Sequence, residues 1–262
     1  MKQTYPTDLS DAEWSRLAPL IPRPKRGGRP VKYERRQIVN AILYIVRAGC
    51  AWRLLPGDMP PWSIVYHYFR AWKHSGVWQS IHDSLRAAVR RSGGRERQPS
   101  AAILDSQSVR TTDRGGVRGY DAAKKVVGRK RHILVDTLGL LLIVVVHAAD
   151  VQDRDGAKQV LELLANRLRR LRLVWADGGY AGQLVEWVRS LRKRDKLRLE
   201  IVKRSDTVAG FVVLPKRWIV ERTFAWLYRC RRLSKDYEYL TSTSEAMIQV
   251  AMINLMLRRL AR

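Results

Sequence analysis

His132-Ile133-Leu134-Val135-Asp136-Thr137-Leu138-Gly139-Leu140-Leu141-Leu142-Ile143-Val144-Val145-Val146-His147-Ala148 reads as strand, turn, strand. Thr137-Leu138-Gly139 is the turn. The second arm, Leu140 to Ala148, is a nearly unbroken apolar run, the pattern of a strand buried on both faces, and it predicts a central position in a sheet. The whole stretch Leu138 to Ala149 is too short to span a membrane, and no run of eighteen apolar residues exists elsewhere.

Working outward from this hairpin gives the rest of the second half. Upstream, Ala101 to Asp105 is a buried strand ending in an acid. Arg110 to Arg131 carries eight basic residues against two acids and reads as a flexible basic hairpin or loop. Downstream, Asp153-Arg154-Asp155-Gly156 opens a helix to about Arg170. Leu171 to Ala176 is a strand, Gly182 to Leu191 a helix, and Leu197 to Lys203 a strand. A helix around Glu221 follows, and Thr241 to Ser244 cap a last one running to about Arg259. Strands alternating with helices predict an α/β fold with a mixed five-stranded sheet and flanking helices.

Residues 1–92 read as a small helical domain. Asp8 to Trp14 supplies cap candidates for a helix through Leu17 toward Pro19. Arg35 to Arg47 is a helix with the apolar stripe Ile38, Ala41, Ile42, Ile45 and Val46, ended by Gly49. Ser63 opens another through Lys73. Two such helices predict a helix-turn-helix-like unit. Between them and the first helix, Pro22 to Pro30 is an extended basic arm, with Arg29 either in a minor groove or on a solvated loop. The polar segment 93–100 is the linker, and 101–262 is the α/β domain.

Composition narrows the partner. The chain has 262 residues, with Lys and Arg numbering 50 against 24 Asp and Glu, a formal net charge of +26. Self-repulsion on that scale points to a polyanion, and phosphate contacts by Lys and Arg are the physical match. Nucleic acid is therefore the expected partner, and a membrane is not. Candidate DNA contacts are Arg29, Arg70, Lys73, Lys124, Lys125, Arg129, Lys130, Arg131, Arg217, Arg222, Arg229, Arg232 and Lys235. Two cysteines, Cys50 and Cys230, make neither a disulfide framework nor a zinc site. With a polar N-terminus the expectation is an intracellular, cytoplasmic protein.

Three acids carry the chemistry. Asp105 ends the first strand, Asp177 ends the fourth, and Glu221 is the only acid among seven basic residues between Lys216 and Lys235. If strands one and four are neighbours, the aspartates emerge together and Glu221 can meet them. Three convergent carboxylates in a basic protein suit two hard divalent cations acting on a phosphodiester. The expected ion is Mg2+, with Mn2+ able to substitute. Each acid also has an ordinary use. Asp105 can be a strand-end turn residue, Asp177 an N-cap before Gly178-Gly179, and Glu221 an arginine partner. Asp153 and Asp155 fit as first-turn acids of a helix. His132 and His147 read as satisfied strand histidines, and Trp175 and Trp226 as core.

The stretches Leu104-Asp105-Ser106-Gln107-Ser108-Val109-Arg110-Thr111-Thr112, Val174-Trp175-Ala176-Asp177-Gly178-Gly179-Tyr180 and Val220-Glu221-Arg222-Thr223-Phe224-Ala225-Trp226-Leu227 resemble the three catalytic blocks of DDE-class transposases of bacterial insertion sequences, and the group numbered five is the nearest in kind. Gly128 to His132, Val151 to Gly156, Leu9 to Trp14 and Gly49 to Arg53 extend the resemblance over nearly the whole chain. It implies a ribonuclease H-like catalytic fold, with Asp105, Asp177 and Glu221 as metal ligands. It also implies cleavage and transfer of DNA strands at terminal inverted repeats by a homodimer or higher oligomer. The wider group often shows Tyr-x2-Arg-x3-Glu-x6-Lys about its glutamate. Here Arg217 and Glu221 are kept, Leu214 stands at the tyrosine position and Tyr228 at the lysine position; Arg229, Arg232 and Lys235 are the candidate substitutes. Two other classes remain open at this point: a non-enzymatic DNA-binding regulator, and a structure-selective nuclease of the same fold.

Overall fold

The computed structural model describes residues 5–23, 32–113, 115–164, 167–191, 197–202 and 216–262. They fall into two compact units. One, helical, is formed by Met1–Gly93, Leu227–Ser234 and Ala246–Arg262; the other, built on a sheet, is formed by Gly94–Trp226 and Lys235–Glu245. One boundary between the units falls at Gly93–Gly94. The two C-terminal segments, expected in the catalytic domain, group with the helices instead.

In the helical unit, α1 (Asp11–Leu17) starts at a capping box. Ser10 Oγ accepts from the Glu13 N–H, and the Glu13 carboxylate accepts from the Ser10 N–H. The predicted stripe of α2 (Arg35–Ala48) is fully buried at Ile38, Ala41, Ile42 and Ile45. Gly49 ends it at φ +76°, where a Cβ would also lie 2.9 Å from the Arg231 Cβ. Both facts require glycine. The helices α3 (Trp62–His74) and α4 (Val77–Ser92) pack through the buried rings of Phe69, Trp72 and Trp78. No expectation covered α4, although Trp78, Ile81, Leu85 and Val89 repeat at helical spacing. The connection from α2 to α3 covers residues 49–61 and contains a short 3-10 helix at Trp52–Leu54. That is far longer than the three or four residues of a helix-turn-helix. The tight turn is at Ser75-Gly76, between α3 and α4.

Among the described residues the sheet unit has six strands: β1 (Ala101–Arg110), β2 (Gly119–Asp121), β3 (Val126–Asp136), β4 (Leu141–Ala148), β5 (Leu173–Ala176) and β6 (Arg198–Ile201). Five were expected, and β2 is the extra one. The basic stretch 110–131, expected as a hairpin or loop, contains the β2–β3 hairpin, with β1 running on to Arg110 and β3 beginning at Val126. β1 is antiparallel to β3 and parallel to β5, and β5 is parallel to β6. Helices α5 (Asp153–Glu162) and α6 (Gln183–Leu191) follow β4 and β5, and Val160, Leu161, Leu184 and Val188 join Leu104, Leu134 and Val174 in one core. Then come α7 (Trp218–Tyr228) and α8 (Thr241–Leu260).

β4 corrects the expectation of a central strand. Among the described residues it pairs with β3 alone. Its apolar character reflects burial, not a second ladder. The Val146 N–H, which a neighbouring strand would otherwise take, donates to Glu245 Oε1 at 2.9 Å. A side chain thus covers part of an edge that would invite pairing. Among the described residues no helix is long and apolar enough to cross a membrane.

Candidate active site

The parallel ladder between β1 and β5 pairs Ala101, Ala102 and Ile103 with Leu173, Val174 and Trp175. Asp105 and Asp177 each lie two residues past the last pair, so the register brings them side by side. Asp105 is not at a strand end, since β1 continues to Arg110. Its Oδ1 accepts from the Ser106 N–H at 2.7 Å. Burial pushes its carboxyl up to about 6; the Ser106 hydrogen bond opposes this and the charge of Asp177 adds to it.

Asp177 does cap a short helix, as its ordinary use predicts. Its Oδ1 accepts from the Gly179 N–H at 2.9 Å. Its other oxygen is 3.7 Å from Arg217 Nη2, and the same nitrogen is 3.9 Å from Glu221 Oε1. Glu221, exposed in the first turn of α7, therefore also has its arginine partner. The two uses coexist: one guanidinium touches two of the three acids and acts electrostatically on the third. Among the described residues no three His, Cys, Asp or Glu side chains are gathered closely enough to enclose an ion.

The position of α7, and so of Glu221, is fixed from the β3–β4 turn. Thr223 Oγ1 donates to the Gly139 carbonyl at 2.9 Å, and Arg222 Nη2 to the Leu138 carbonyl at 3.2 Å. Gly139 has φ +77°, and a Cβ there would come within 2.9 Å of both Thr223 and Trp226. The close approach of helix to turn depends on that glycine.

A second polar cluster adjoins the aspartates. Ser106 Oγ donates to Asp153 Oδ1 at 3.0 Å, and Lys130 Nζ lies 2.9 Å from the same oxygen. His132 Nδ1 and His147 Nε2 are 2.8 Å apart, and His147 Nδ1 is 2.8 Å from the Ala148 carbonyl. A carbonyl only accepts, so His147 donates there and accepts from His132. Burial lowers both imidazoles, and each is held neutral in the interior. His147 has a partner at each ring nitrogen, whereas the buried His132 Nε2 has no hydrogen-bond partner among the described residues and lies 3.8 Å from Asp153 Oδ1, so the expectation of satisfied strand histidines holds for His147 and only in part for His132. Tyr180 is buried beside the aspartates; burial raises its phenol well above the ordinary value, and the charge of Asp105 adds to this. Sequence reasoning missed Ser106 and Tyr180 and gave Asp153 to a helix dipole. The one available signal was that Ser106 and Tyr180 fall inside the quoted blocks. A cavity of about 320 Å3 opens next to this cluster, its lining mixing Lys124, Lys130 and Arg154 with Asp121, Asp150 and Asp153.

The candidate DNA contacts separate sharply. Arg129 is fully buried and donates to the carbonyls of Val117, Glu238 and Tyr239, each at 2.7 Å, with Asp236 at 3.2 Å. Arg131 and Lys130 are buried, donating to the carbonyls of Lys235 and Val151. Arg232 is buried and donates to the Cys50 carbonyl. These four are corrections: folded inward on internal acceptors, they present no charge to a phosphate. Arg222 is half-buried against the rings of Trp218 and Trp226, at 4.2 and 4.9 Å from their centroids. Lys124, Lys125, Arg229, Lys235 and Arg70 are exposed, and Lys73 and Arg217 are half-buried. Arg29 lies outside the described residues. Trp175 and Trp226 are half-buried, not core, and Lys216 Nζ sits 4.3 Å over the Trp175 ring.

Comparison with known proteins gives a consistent result. Residues 96–256 match the family model described as "Transposase DDE domain", which is more than half of the chain. Residues 9–82 match a second model, "Putative transposase of IS4/5 family". Two similar proteins come from Burkholderia cepacia. The "Insertion element IS402 uncharacterized 16.2 kDa protein" is 31% identical over 113 residues, 41% of this chain and 76% of that protein. The "Putative transposase for insertion sequence element IS402" is 36% identical over 118 residues, 42% of this chain and 54% of that protein. Uncharacterized protein y4sN of Sinorhizobium fredii is 29% identical over 102 residues, 39% of this chain and 75% of that protein.

Proposed function

Since the chain belongs to the family of transposases with a DDE domain, we propose that Asp105, Asp177 and Glu221 are the acids with which it cuts DNA at transposon ends and joins the cut strand to target DNA. The observation that carries this is that Arg217 lies within 3.9 Å of both Asp177 and Glu221, while the β1–β5 register sets Asp105 beside Asp177. A mixed sheet with β1 central and helices after β4 and β5 supports the ribonuclease H-like reading of the catalytic unit.

The donor set fits a hard divalent ion such as Mg2+. All three groups are carboxylates, and no cysteine or imidazole is among them. Asp105 is held toward its neutral form by burial and by Asp177, so a cation at this place would favour its ionised form. Asp105, Asp177 and Glu221 would hold two such ions, which supply an activated nucleophilic oxygen and stabilise the leaving oxygen of the phosphodiester. The chain's own groups do the rest. Arg217, poised between Asp177 and Glu221, is placed to take a DNA phosphate oxygen. The Ser106 N–H and the Gly179 N–H orient one oxygen of each aspartate. Exposed Lys124, Lys125, Arg229, Lys235 and Arg70 are the sequence-independent contacts to double-stranded DNA, and the helical unit takes part in end binding. A homodimer or higher oligomer, each copy engaging one end, completes the reading.

The test is strand cleavage and joining of a labelled duplex carrying the ends of the encoding element, with Mg2+ supplied. Asp105→Asn, Asp177→Asn and Glu221→Gln should each lower the rate about 10^3-fold, the equivalent of several kcal/mol, while DNA binding persists. Wild-type rates in all three variants would remove the site.

A further inference from the structure

We propose that Ser106 and Asp153 are positioning residues for Asp105, bracing β1 at the point where the sheet stops doing so. The inference rests on the reading of Asp105 as a metal-holding acid. The parallel ladder to β5 ends at Ile103, so from Asp105 onward β1 keeps strand pairing to β3 on one side, and the other side needs a different support.

Ser106 supplies it through three polar groups. Its N–H donates to Asp105 Oδ1 at 2.7 Å, its Oγ donates to Asp153 Oδ1 at 3.0 Å, and its carbonyl accepts from Lys124 Nζ at 3.4 Å. Asp153 is itself anchored. Lys130 Nζ, buried, is 2.9 Å from its Oδ1, donates to the Val151 carbonyl at 2.9 Å and is 3.7 Å from Asp121 Oδ2. Asp121 closes the net, since its Oδ2 accepts from Ser108 Oγ at 2.5 Å and its Oδ1 from the Lys124 N–H at 3.1 Å. The network thus ties Ser106 and Ser108, two residues apart and so on one face of β1, to the β2–β3 hairpin and to the start of α5. Asp105 projects from the opposite face. It is held from behind, through the peptide of Ser106.

The helix-dipole role accounts for Asp153 only in part. A first-turn acid satisfied by the helix alone would leave both oxygens on backbone N–H groups or solvent. Here one oxygen takes a buried lysine and a serine of β1. The other lies toward Gly179 and the Asp177 carboxylate: a Cβ on Gly179 would be 4.0 Å from Asp153 Oδ2 and 3.1 Å from Asp177 Oδ1. Groups that orient metal-holding acids in this way change metal affinity about 10–100-fold when removed.

The experiment uses the full chain. Mn2+ binding is measured by the paramagnetic signal of free Mn2+, without DNA, alongside DNA affinity and melting temperature. Ser106→Ala and Asp153→Asn should each weaken Mn2+ binding about 10–100-fold and raise by a similar factor the metal concentration needed for half-maximal cleavage, at unchanged DNA affinity. Ser106→Thr, which keeps the hydroxyl on a strand-compatible side chain, should restore both. Unchanged Mn2+ affinity in folded Ser106→Ala, or failure of Ser106→Thr to rescue it, overturns the proposal; if Asp153→Asn does not fold, the serine pair decides alone. Asp105→Asn is the separate arm. If it binds Mn2+ as tightly as the wild type, the reading of Asp105 as a metal-holding acid fails, whatever the serine variants do.

Discussion

Residues 129–131 and residues 216–235 are both dense in arginine and lysine, yet the fold treats them differently. Arg129, Lys130 and Arg131 lie on β3, a strand paired on both sides, and all three are buried. In the second stretch four of the seven cations, Lys216, Arg229, Arg231 and Lys235, face solvent. The difference lies in what surrounds each charge. Arg129 meets three carbonyls and Asp236, a complete set of acceptors, so its desolvation is offset by internal hydrogen bonds. The exposed cations need no internal acceptors and keep their charge available to a polyanion. A count of positive residues therefore overstates the DNA-facing charge, because part of it is structural.

The strongest attack on this comparison is Arg129→Ala. Breaking a buried pair and stranding its acceptors should cost about 3–5 kcal/mol, read as a lower denaturation midpoint. Arg129→Lys should recover little, because an ammonium cannot span acceptors that a guanidinium fork reaches. If Arg129→Ala melted normally and instead lost DNA binding, the assignment of this run to structure would be wrong.

Next in size is the converse variant, Lys124→Ala with Lys125→Ala. Stability should change by less than about 0.5 kcal/mol, as for ordinary surface positions. DNA affinity should fall, and the log–log salt slope should lose about 0.9 for each phosphate contact removed. An unchanged slope would place the DNA path elsewhere.

The smallest effect concerns Asp105. Its folded carboxyl, at about 6, lies above the ordinary 3.8. The folded state thus favours the proton, so this contribution to stability is full below about pH 4 and fades as pH rises through about 6. The metal-free protein should show a slightly lower melting temperature at pH 7 than at pH 5 from this source, and Asp105→Asn should flatten that part of the profile. Added Mg2+ should do the same for the wild type, by favouring the ionised form.

Much of the architecture was visible in the residues because it follows from local pattern. Alternating apolar runs and capped helices announce the α/β order, and the stripe of α2 is buried as its spacing demands. Where the sequence misled, pairing was at issue. The run of β4 has the composition of a central strand, but composition reports burial, and an edge strand covered by helices and by Glu245 is equally buried. The helix pair expected to share a short turn was misassigned for a related reason: apolar periodicity locates helices without fixing which pair shares the tight turn, here α3 and α4.

The candidate site divides in the same way. The three acids stand in recognisable stretches, and their residue type alone restricts them to hard cations or arginine. That Asp105 and Asp177 lie abreast depends on the β1–β5 register, a contact between residues some seventy positions apart. That Glu221 joins them depends on Thr223 and Arg222 reaching the β3–β4 turn. Composition and charge pointed to a basic partner for a polyanion and to the chemistry of carboxylates. Which cations remain free to meet DNA, and which serine braces which aspartate, was decided only by tertiary structure, because burial and hydrogen-bond satisfaction belong to neighbours in space.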